Sequence, residues 1–204
     1  MTIAELAEPL RGENPMIMPT ETIVRKRFTV DEYHRMSDIG IFPNDRRFEL
    51  IRGAILEMPT AKPSHSGRIN RLTHLFTSRL GEFAIVSVQN PSSIDDHSEP
   101  APDVSLLKPR GDFYSQVHPM PEDVLLLIEI SDTTLRFDTK IKALLYAEAE
   151  ISEYWILNIP QNVLEVRTQP ANGRYTRHEV LRHGKTVAPV EFPGVSFWVD
   201  EILG

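Results

Sequence analysis

An aliphatic segment, VLLLIEIS at residues 124–131, constrains the fold of this chain more than any other feature. Every residue in it except Glu129 and Ser131 is aliphatic, and such a run is typical of a strand buried on both faces. An ionised carboxylate inside that strand is very costly without compensation. Glu129 therefore indicates a neighbouring cation or metal ion, a raised pKa, or a register that turns it to solvent. A structural salt bridge is the simplest alternative to a functional role.

The rest of the chain alternates helical and extended patterns. Thr29 and Glu32 have the spacing of a capping box at the start of a helix over residues 28–38. Apolar residues at helical spacing predict two further helices, at residues 66–83 and 132–150. The extended segments are predicted at residues 83–94, 101–108, 124–131, 153–159, 163–169 and 173–181, with a hairpin at 46–58 that turns at Arg52-Gly53 and a loop at 109–123.

This order of elements predicts a mixed α/β fold, with a central sheet flanked by helices. The 204 residues are enough for one domain with a full hydrophobic core. We expect an N-terminal extension at residues 1–25 and a single domain at residues 26–204. The chain has no apolar run of membrane-spanning length, and its start lacks the features of a signal peptide. A cytoplasmic location without membrane contact is therefore expected.

Composition limits the chemistry. The chain has no cysteine, which excludes disulfides, zinc–thiolate sites and thiol nucleophiles. A metal ion would have to bind oxygen or imidazole ligands, which favours Mg²⁺ or Mn²⁺. The net charge of −7 argues against a protein that coats nucleic acid non-specifically. It does not exclude a nuclease, because several acids would belong to the metal site.

Two acidic residues on neighbouring predicted strands are the first candidates for a site. Asp103 follows Pro102 at the start of an apolar strand, and Glu129 lies inside the next strand. A Pro-Asp pair alone usually marks a turn or the start of a strand. Two adjacent strands can bring both carboxylates to one point, where with a main-chain carbonyl they would form part of a Mg²⁺ coordination shell.

The helix after the central strand supplies a cation. Asp138 and Lys142 are four residues apart and share a helix face, which Tyr146 extends. One interpretation is that Lys142 reaches the metal site. The alternative, to which we give equal weight, is that Lys142 forms a surface ion pair with Asp138. Three apolar residues are expected to pack inward: Ile141, Leu144 and Leu145.

Two further residues are weaker candidates. Glu49 lies in the first strand of the hairpin and is either a third acid of the cluster or a solvent-facing glutamate. His65 stands just before the helix that carries Arg68. It would contact phosphate or relay a proton, although a histidine in this position more often caps a helix or is exposed.

Four stretches of the sequence resemble the Uma-two family of restriction-endonuclease-type proteins, within the PD-(D/E)xK nuclease superfamily. The resemblance extends from about Phe28 to about Glu201. Its most specific part is the strand ending in acid-x-Ser, followed by Asp-x3-Lys-x3-Tyr and Glu-Tyr-Trp. The four stretches are FELIRGAILEM, PSHSGRINRL, APDVSLL and LLLIEISDTTLRFDTKIKALLYAEAEISEYWILNI.

The resemblance implies a restriction-endonuclease-like fold and assigns site residues. The superfamily motif places lysine two residues after its second acid, where this chain has Ser131. The lysine of this family lies on the following helix instead, so Lys142 takes its role, with Lys140 as the second choice. The implied catalytic residues are Glu49, His65, Asp103, Glu129 and Lys142, and the implied metal ligands are Glu49, Asp103 and Glu129.

The function implied is a Mg²⁺-dependent (or Mn²⁺-dependent) endonuclease that hydrolyses DNA. Enzymes that cut both strands of a duplex commonly pair two sites by symmetry, so a homodimer is expected. Two alternatives remain open at this point. One is an inactive descendant of the fold that serves as a binding or assembly module, and the other is a hydrolase of another phosphoester, such as RNA or a nucleotide.

Overall fold

The computed structural model describes residues 24–204. Most of the expected N-terminal extension, residues 1–23, lies outside the described residues. Five α-helical segments occur within the described part: α1 Val30–Asp38, α2 Pro63–Leu80, α3 Leu135–Phe137, α4 Ala143–Glu148 and α5 Val199–Leu203. The strands are β1 Arg47–Ile51, β2 Ala54–Met58, β3 Ile85–Val88, β4 Val104–Leu107, β5 Val124–Ser131, β6 Glu153–Asn158, β7 Val163–Ala171, β8 Arg174–Leu181, β9 Thr186–Val187 and β10 Phe197–Trp198.

Six strands form the central sheet, in the order β3-β4-β5-β6-β7-β8. Strands β5 and β6 pair in parallel, and every other neighbouring pair is antiparallel. A parallel pair needs a crossover connection, which the helical segments between β5 and β6 provide. The predicted mixed sheet flanked by helices is confirmed.

All eight residues of β5 are buried, as predicted for a strand covered on both faces. On one face Ile128 and Ile130 pack in a core with Phe76 of α2 and Ile202 of α5. On the other face Leu127 packs in a second core, which includes residues of α4. Side chains alternate along a strand, so Glu129 falls on the same face as Leu127, toward α4.

The N-terminal elements also match the sequence pattern. Thr29 caps α1 and forms the complete capping box with Glu32. Strands β1 and β2 pair as the predicted hairpin, and both residues of its turn have positive φ, at 52° for Arg52 and 79° for Gly53. Helix α2 begins at Pro63, earlier than predicted, because proline suits the first turn of a helix.

The helix predicted at residues 132–150 is not regular. Segments α3 and α4 are joined without a break by a π-helical turn, Asp138–Lys142. The expectation that Leu144 packs inward is wrong: it is exposed, while Lys142 and Tyr146 are buried. The buried helix face is therefore the one that carries the lysine, because this face meets the acidic residues of the sheet.

Within the described residues, no helix has both the length and the hydropathy needed to cross a bilayer.

Candidate active site

A cleft of about 110 Å³ lies between the hairpin, the start of α2, the strands β4 and β5, and the segment that follows β5. All five residues selected from the sequence line this one cleft: Glu49, His65, Asp103, Glu129 and Lys142. They come from five different elements or their ends, so their assembly is a product of the tertiary fold.

The centre of the cluster is Lys142, held between two acids. Its Nζ lies 2.8 Å from Oε1 of Glu129 and 2.9 Å from Oε2 of Glu49. The hydroxyl of Tyr146 donates a second hydrogen bond to the same oxygen of Glu129, at 3.2 Å. Lys142 and Glu49 are each 1% exposed, so water contributes little to their solvation. Glu49 is buried and is not the solvent-facing residue of the alternative interpretation.

The π turn explains how a lysine from the outer helix reaches this position. A π turn adds one residue to a helical turn, which shifts the side chains after it around the axis. Lys142 is the last residue of this turn, and Tyr146 follows on the same buried face. Such single π turns are frequent at functional sites. The local distortion therefore directs Lys142 toward the two glutamates.

Electrostatics keep Lys142 charged. Burial by itself would lower the pKa of the Lys142 ammonium, but the nearby carboxylates, first Glu129 and then Glu49, outweigh it and raise that pKa. For Glu129, burial raises the pKa well above its usual value, and Lys142 acts in the opposite direction. Several acids therefore share one ammonium, and the cluster has spare negative charge for a further proton or cation.

Asp103 is fixed by three donors. Its Oδ2 accepts the backbone N–H of Ile130 at 2.9 Å. Its Oδ1 lies 2.9 Å from Nε2 of His65 and accepts the amide of Gln89 at 3.1 Å. Burial opposes ionisation of Asp103, yet these contacts, led by the hydrogen bond from His65, outweigh burial and lower the pKa of the carboxyl. Asp103 is therefore held as a carboxylate, and His65 is neither a simple helix cap nor fully exposed.

Asp138 is not the partner of Lys142 in a surface ion pair. It is 2% exposed, and its Oδ2 accepts hydrogen bonds from Ser131 Oγ at 2.7 Å and Thr134 Oγ1 at 2.6 Å. Ser131, at the position where the superfamily motif has lysine, thus orients this acid. Burial raises the pKa of Asp138, with Lys142 opposing.

Two residues that were not among the selected site residues also belong to this region. Gln89 binds Asp103, and the register that pairs Val88 with Val104 places it there. Its polar amide at the end of a strand was the available signal, but only strand pairing gives it meaning. Arg47 lines the cleft, and its guanidinium lies 4.0 Å from Glu49.

The donor set fits a hard divalent ion in part. Asp103 and Glu129 offer carboxylate oxygens. Ile130, which follows Glu129 and donates its N–H to Asp103, lines the same cleft. Neither buried carboxylate oxygen of Glu49 accepts a hydrogen bond, because the 2.9 Å contact between its Oε2 and Nζ of Lys142 is an ion pair outside hydrogen-bond geometry. However, the carboxylate oxygens of Glu49, Asp103 and Glu129 do not all lie within 4.8 Å of one another. Within residues 24–204, the ligand atoms of His34, Glu99 and His118 do meet that spacing. Glu49 faces Lys142 instead of closing a three-carboxylate cage.

The site thus combines a mixed sheet, acids at or next to two adjacent strands, and a lysine from the following helical segment. The chain belongs to the Uma2 family, whose model, described as "Putative restriction endonuclease", matches residues 30–200. The structure is similar to a crystal structure described as a putative nuclease belonging to DUF820 from Anabaena variabilis ATCC 29413. The TM-score is 0.65 at 16% identity, over 86% of this chain and 97% of that one. No curated protein matches the chain.

Proposed function

We propose that this protein is a metal-dependent endonuclease that hydrolyses phosphodiester bonds of DNA, with Mg²⁺ or Mn²⁺ as its cofactor. The observation that carries the proposal is the burial of the Lys142 ammonium between Glu129 and Glu49, beside the ionised Asp103. Family membership and the nuclease fold support nuclease activity in general. The choice of DNA and of the ion is a proposal from this site.

Asp103 and Glu129 would hold the ion, together with the main-chain carbonyl of Ile130. A divalent ion bound there would polarise the phosphate and favour ionisation of a water molecule. Asp103 needs no rearrangement to remain ionised, because His65 and Gln89 already hold it. His65 is a positioning residue, since it acts through Asp103.

Lys142 would orient the attacking water and offset negative charge on the phosphate in the transition state. Its ammonium is held in position by two carboxylates and is shielded from bulk water. Electrostatic interactions are stronger in such a buried site than in water. The resemblance implied that Glu49 is a metal ligand. Its contact with Lys142 favours a different role, which is to hold the ammonium when Glu129 turns toward a metal ion.

The rim of the cleft suits a polyanion although the whole chain is acidic. Arg47, Lys62 and Arg68 all line the cleft. The Nε of Arg68 is buried without a hydrogen-bond acceptor, so its donor capacity is not fully used within the protein. Phosphate oxygens are natural acceptors for such groups. A local cationic rim therefore compensates for the net charge of −7.

A cleavage panel tests the proposal. Plasmid DNA, single-stranded DNA and RNA are incubated with the purified protein and Mg²⁺, Mn²⁺ or EDTA. We expect cleavage of DNA with the metals and none with EDTA. The Asp103→Asn variant should be inactive. The Glu179→Gln variant, which changes a half-buried acid on β8 that pairs with Arg177, should cleave normally. Equal cleavage by Asp103→Asn and the wild type would overturn the assignment, and cleavage of RNA alone would replace DNA as the substrate.

One observation favours a second candidate, an inactive binding module. Lys142 occupies an oxygen of Glu129 that a metal ion would need. Calorimetric titration with Mn²⁺ separates the two candidates. Binding that is lost in Glu129→Gln supports the enzyme, and no binding in the wild type supports the module.

A homodimer, which cleavage of both strands would use, is tested by light scattering, and a monomer would count against it.

A further inference from the structure

Outside the cleft, two histidines and one buried glutamate converge from distant parts of the chain. One ligand atom from each of His34, Glu99 and His118 lies within 4.8 Å of the others. None of the three lines the active-site cleft. We propose that they form a second metal site, for a transition-metal ion of the zinc type, which ties the loop that carries His118 to α1.

The donor types favour zinc over the hard ions of the active site. Two imidazoles and one carboxylate form a known zinc ligand set, with water or another group in the fourth position. Imidazole nitrogen is a poor ligand for Mg²⁺, which prefers oxygen. The chain has no cysteine, so no thiolate competes for a soft ion. Zinc should therefore bind here in the presence of excess Mg²⁺.

The distances require a small adjustment. Nε2 of His34 lies 2.7 Å from Oε1 of Glu99, and the rings of His34 and His118 have centroids 6.2 Å apart at an interplanar angle of 70°. Two imidazoles on one zinc ion, with bonds of about 2.0 Å, place their ring centres roughly 5–6 Å apart. Binding would replace the hydrogen bond between His34 and Glu99 with one coordination bond to each residue.

Backbone contacts hold each ligand in place. Glu99 is 4% exposed, and its N–H donates to the carbonyl of Leu50 at 2.7 Å. His118 is exposed, but the carbonyl of the next residue, Pro119, accepts the N–H of Ser93 at 2.9 Å. His34 lies within α1, whose start is capped. Ligands on anchored backbone lose little freedom on binding, which favours metal affinity.

Burial supplies a further reason for a cation at this point. The side chain of Glu99 is 3% exposed, and its one salt-bridge partner within the described residues is the imidazole of His34, whose side chain is 45% exposed. A buried carboxylate whose single partner is a half-exposed imidazole is incompletely compensated. A divalent ion would compensate it fully. Access is not a barrier, because both histidines reach the surface.

Zinc titration of untagged protein tests the proposal. Calorimetry and a thermal-shift assay are carried out with ZnCl₂ in excess Mg²⁺, on the wild type, His34→Ala and His118→Ala. We expect one zinc ion per chain and a raised Tm in the wild type, and more than about tenfold weaker binding in each variant, because even the loss of a supporting contact costs that much. Circular dichroism checks that each variant is folded.

Two controls separate this site from others. His183→Ala removes a histidine that pairs with Asp200 at the surface and should leave zinc binding unchanged. Asp103→Ala alters the active site and should also retain the zinc ion. Zinc binding that survives in both His34→Ala and His118→Ala, or that is lost in Asp103→Ala, would overturn the proposal, as would the absence of binding to the wild type. None of these readouts depends on nuclease activity.

Discussion

The Nζ of Lys142 lies 2.8 Å from Oε1 of Glu129, and both groups are inside the protein. A buried ion pair adds little net stability, because the attraction between the charges mainly offsets their desolvation. Removing one partner is different, since it leaves an uncompensated charge. The pair is therefore better explained by the chemistry of the cleft than by the stability of the fold.

We predict that Lys142→Met abolishes cleavage and destabilises the fold by about 3–5 kcal/mol, because Glu129 and Glu49 would lose their cation. Cleavage assays and urea denaturation measure the two effects. Lys140→Met is the matched control, since Lys140 is exposed two residues earlier on the same segment. Its stability should stay within about 0.5 kcal/mol of the wild type. Loss of activity in Lys140→Met alone would assign the role to Lys140.

A second prediction concerns His65. His65→Ala removes a hydrogen bond that keeps Asp103 ionised, so we expect Mn²⁺ affinity to fall about 10–100-fold, the usual cost of losing a group that supports a metal ligand. Calorimetry measures this affinity. The control is His74→Ala, which alters an exposed histidine of the same helix. Equal Mn²⁺ affinity in both variants would show that His65 does not position Asp103.

A third prediction concerns the pH dependence of stability. Burial raises the pKa of Glu153 to about 7, against the hydrogen bonds from Val190 N–H and Trp155 Nε1–H. The folded state then holds a proton that the unfolded state releases, so the free energy of unfolding falls as pH rises from about 4.5 to about 7. The loss attributable to this group is at most about 3 kcal/mol.

The Glu153→Gln variant should reduce this slope, because glutamine does not titrate. Its absolute stability will also change, because the two donors bind different oxygens of Glu153 and one of them would face the NH₂ group of glutamine. The test is therefore the slope between pH 5 and pH 8. Urea denaturation followed by tryptophan fluorescence gives the measurement, with Glu179→Gln on the edge strand β8 as control. An unchanged slope in Glu153→Gln would contradict the prediction.

The sequence pattern predicted the central sheet because its signals are local. The aliphatic run of β5 and the capping box at Thr29 each depend on residues close together in the chain. The family resemblance identified the cluster, and its five residues do line one cleft. Their catalytic roles stay a prediction. The position of Glu129 within a strand that is aliphatic except for this residue and Ser131 was the strongest single indication of the site.

Other features depend on contacts between distant residues and were not predictable in this way. The π turn at Asp138–Lys142 follows from packing against the sheet, so helical periodicity placed Leu144 on the wrong face. Gln89 reaches Asp103 through strand pairing, and the contact of His34 with Glu99 joins residues that are 65 positions apart in the chain. The spacing of residues along the chain does not predict such contacts. The tertiary fold determines them.

The turn of the β1–β2 hairpin permits a further test of the fold. Gly53 has φ of +79°, and a Cβ there would lie 2.6 Å from Cβ of Arg27 and 2.9 Å from its Cα. Gly53→Ala therefore adds a steric clash to the strain of a left-handed backbone, which alone costs roughly 1–2 kcal/mol. We expect a greater loss of stability than that, together with lower activity, because the preceding strand carries Glu49.

Gly40→Ala is the matched comparison for this substitution. Gly40 has nearly the same φ, +75°, but a Cβ there would meet no atom within 4 Å. Its loss should be limited to the backbone strain of roughly 1–2 kcal/mol, with normal cleavage. Thermal denaturation of the two variants measures the difference, which isolates the contact between the hairpin turn and the segment before α1. Equal destabilisation of the two would mean that Arg27 moves aside and that this contact does not hold the hairpin against the cleft.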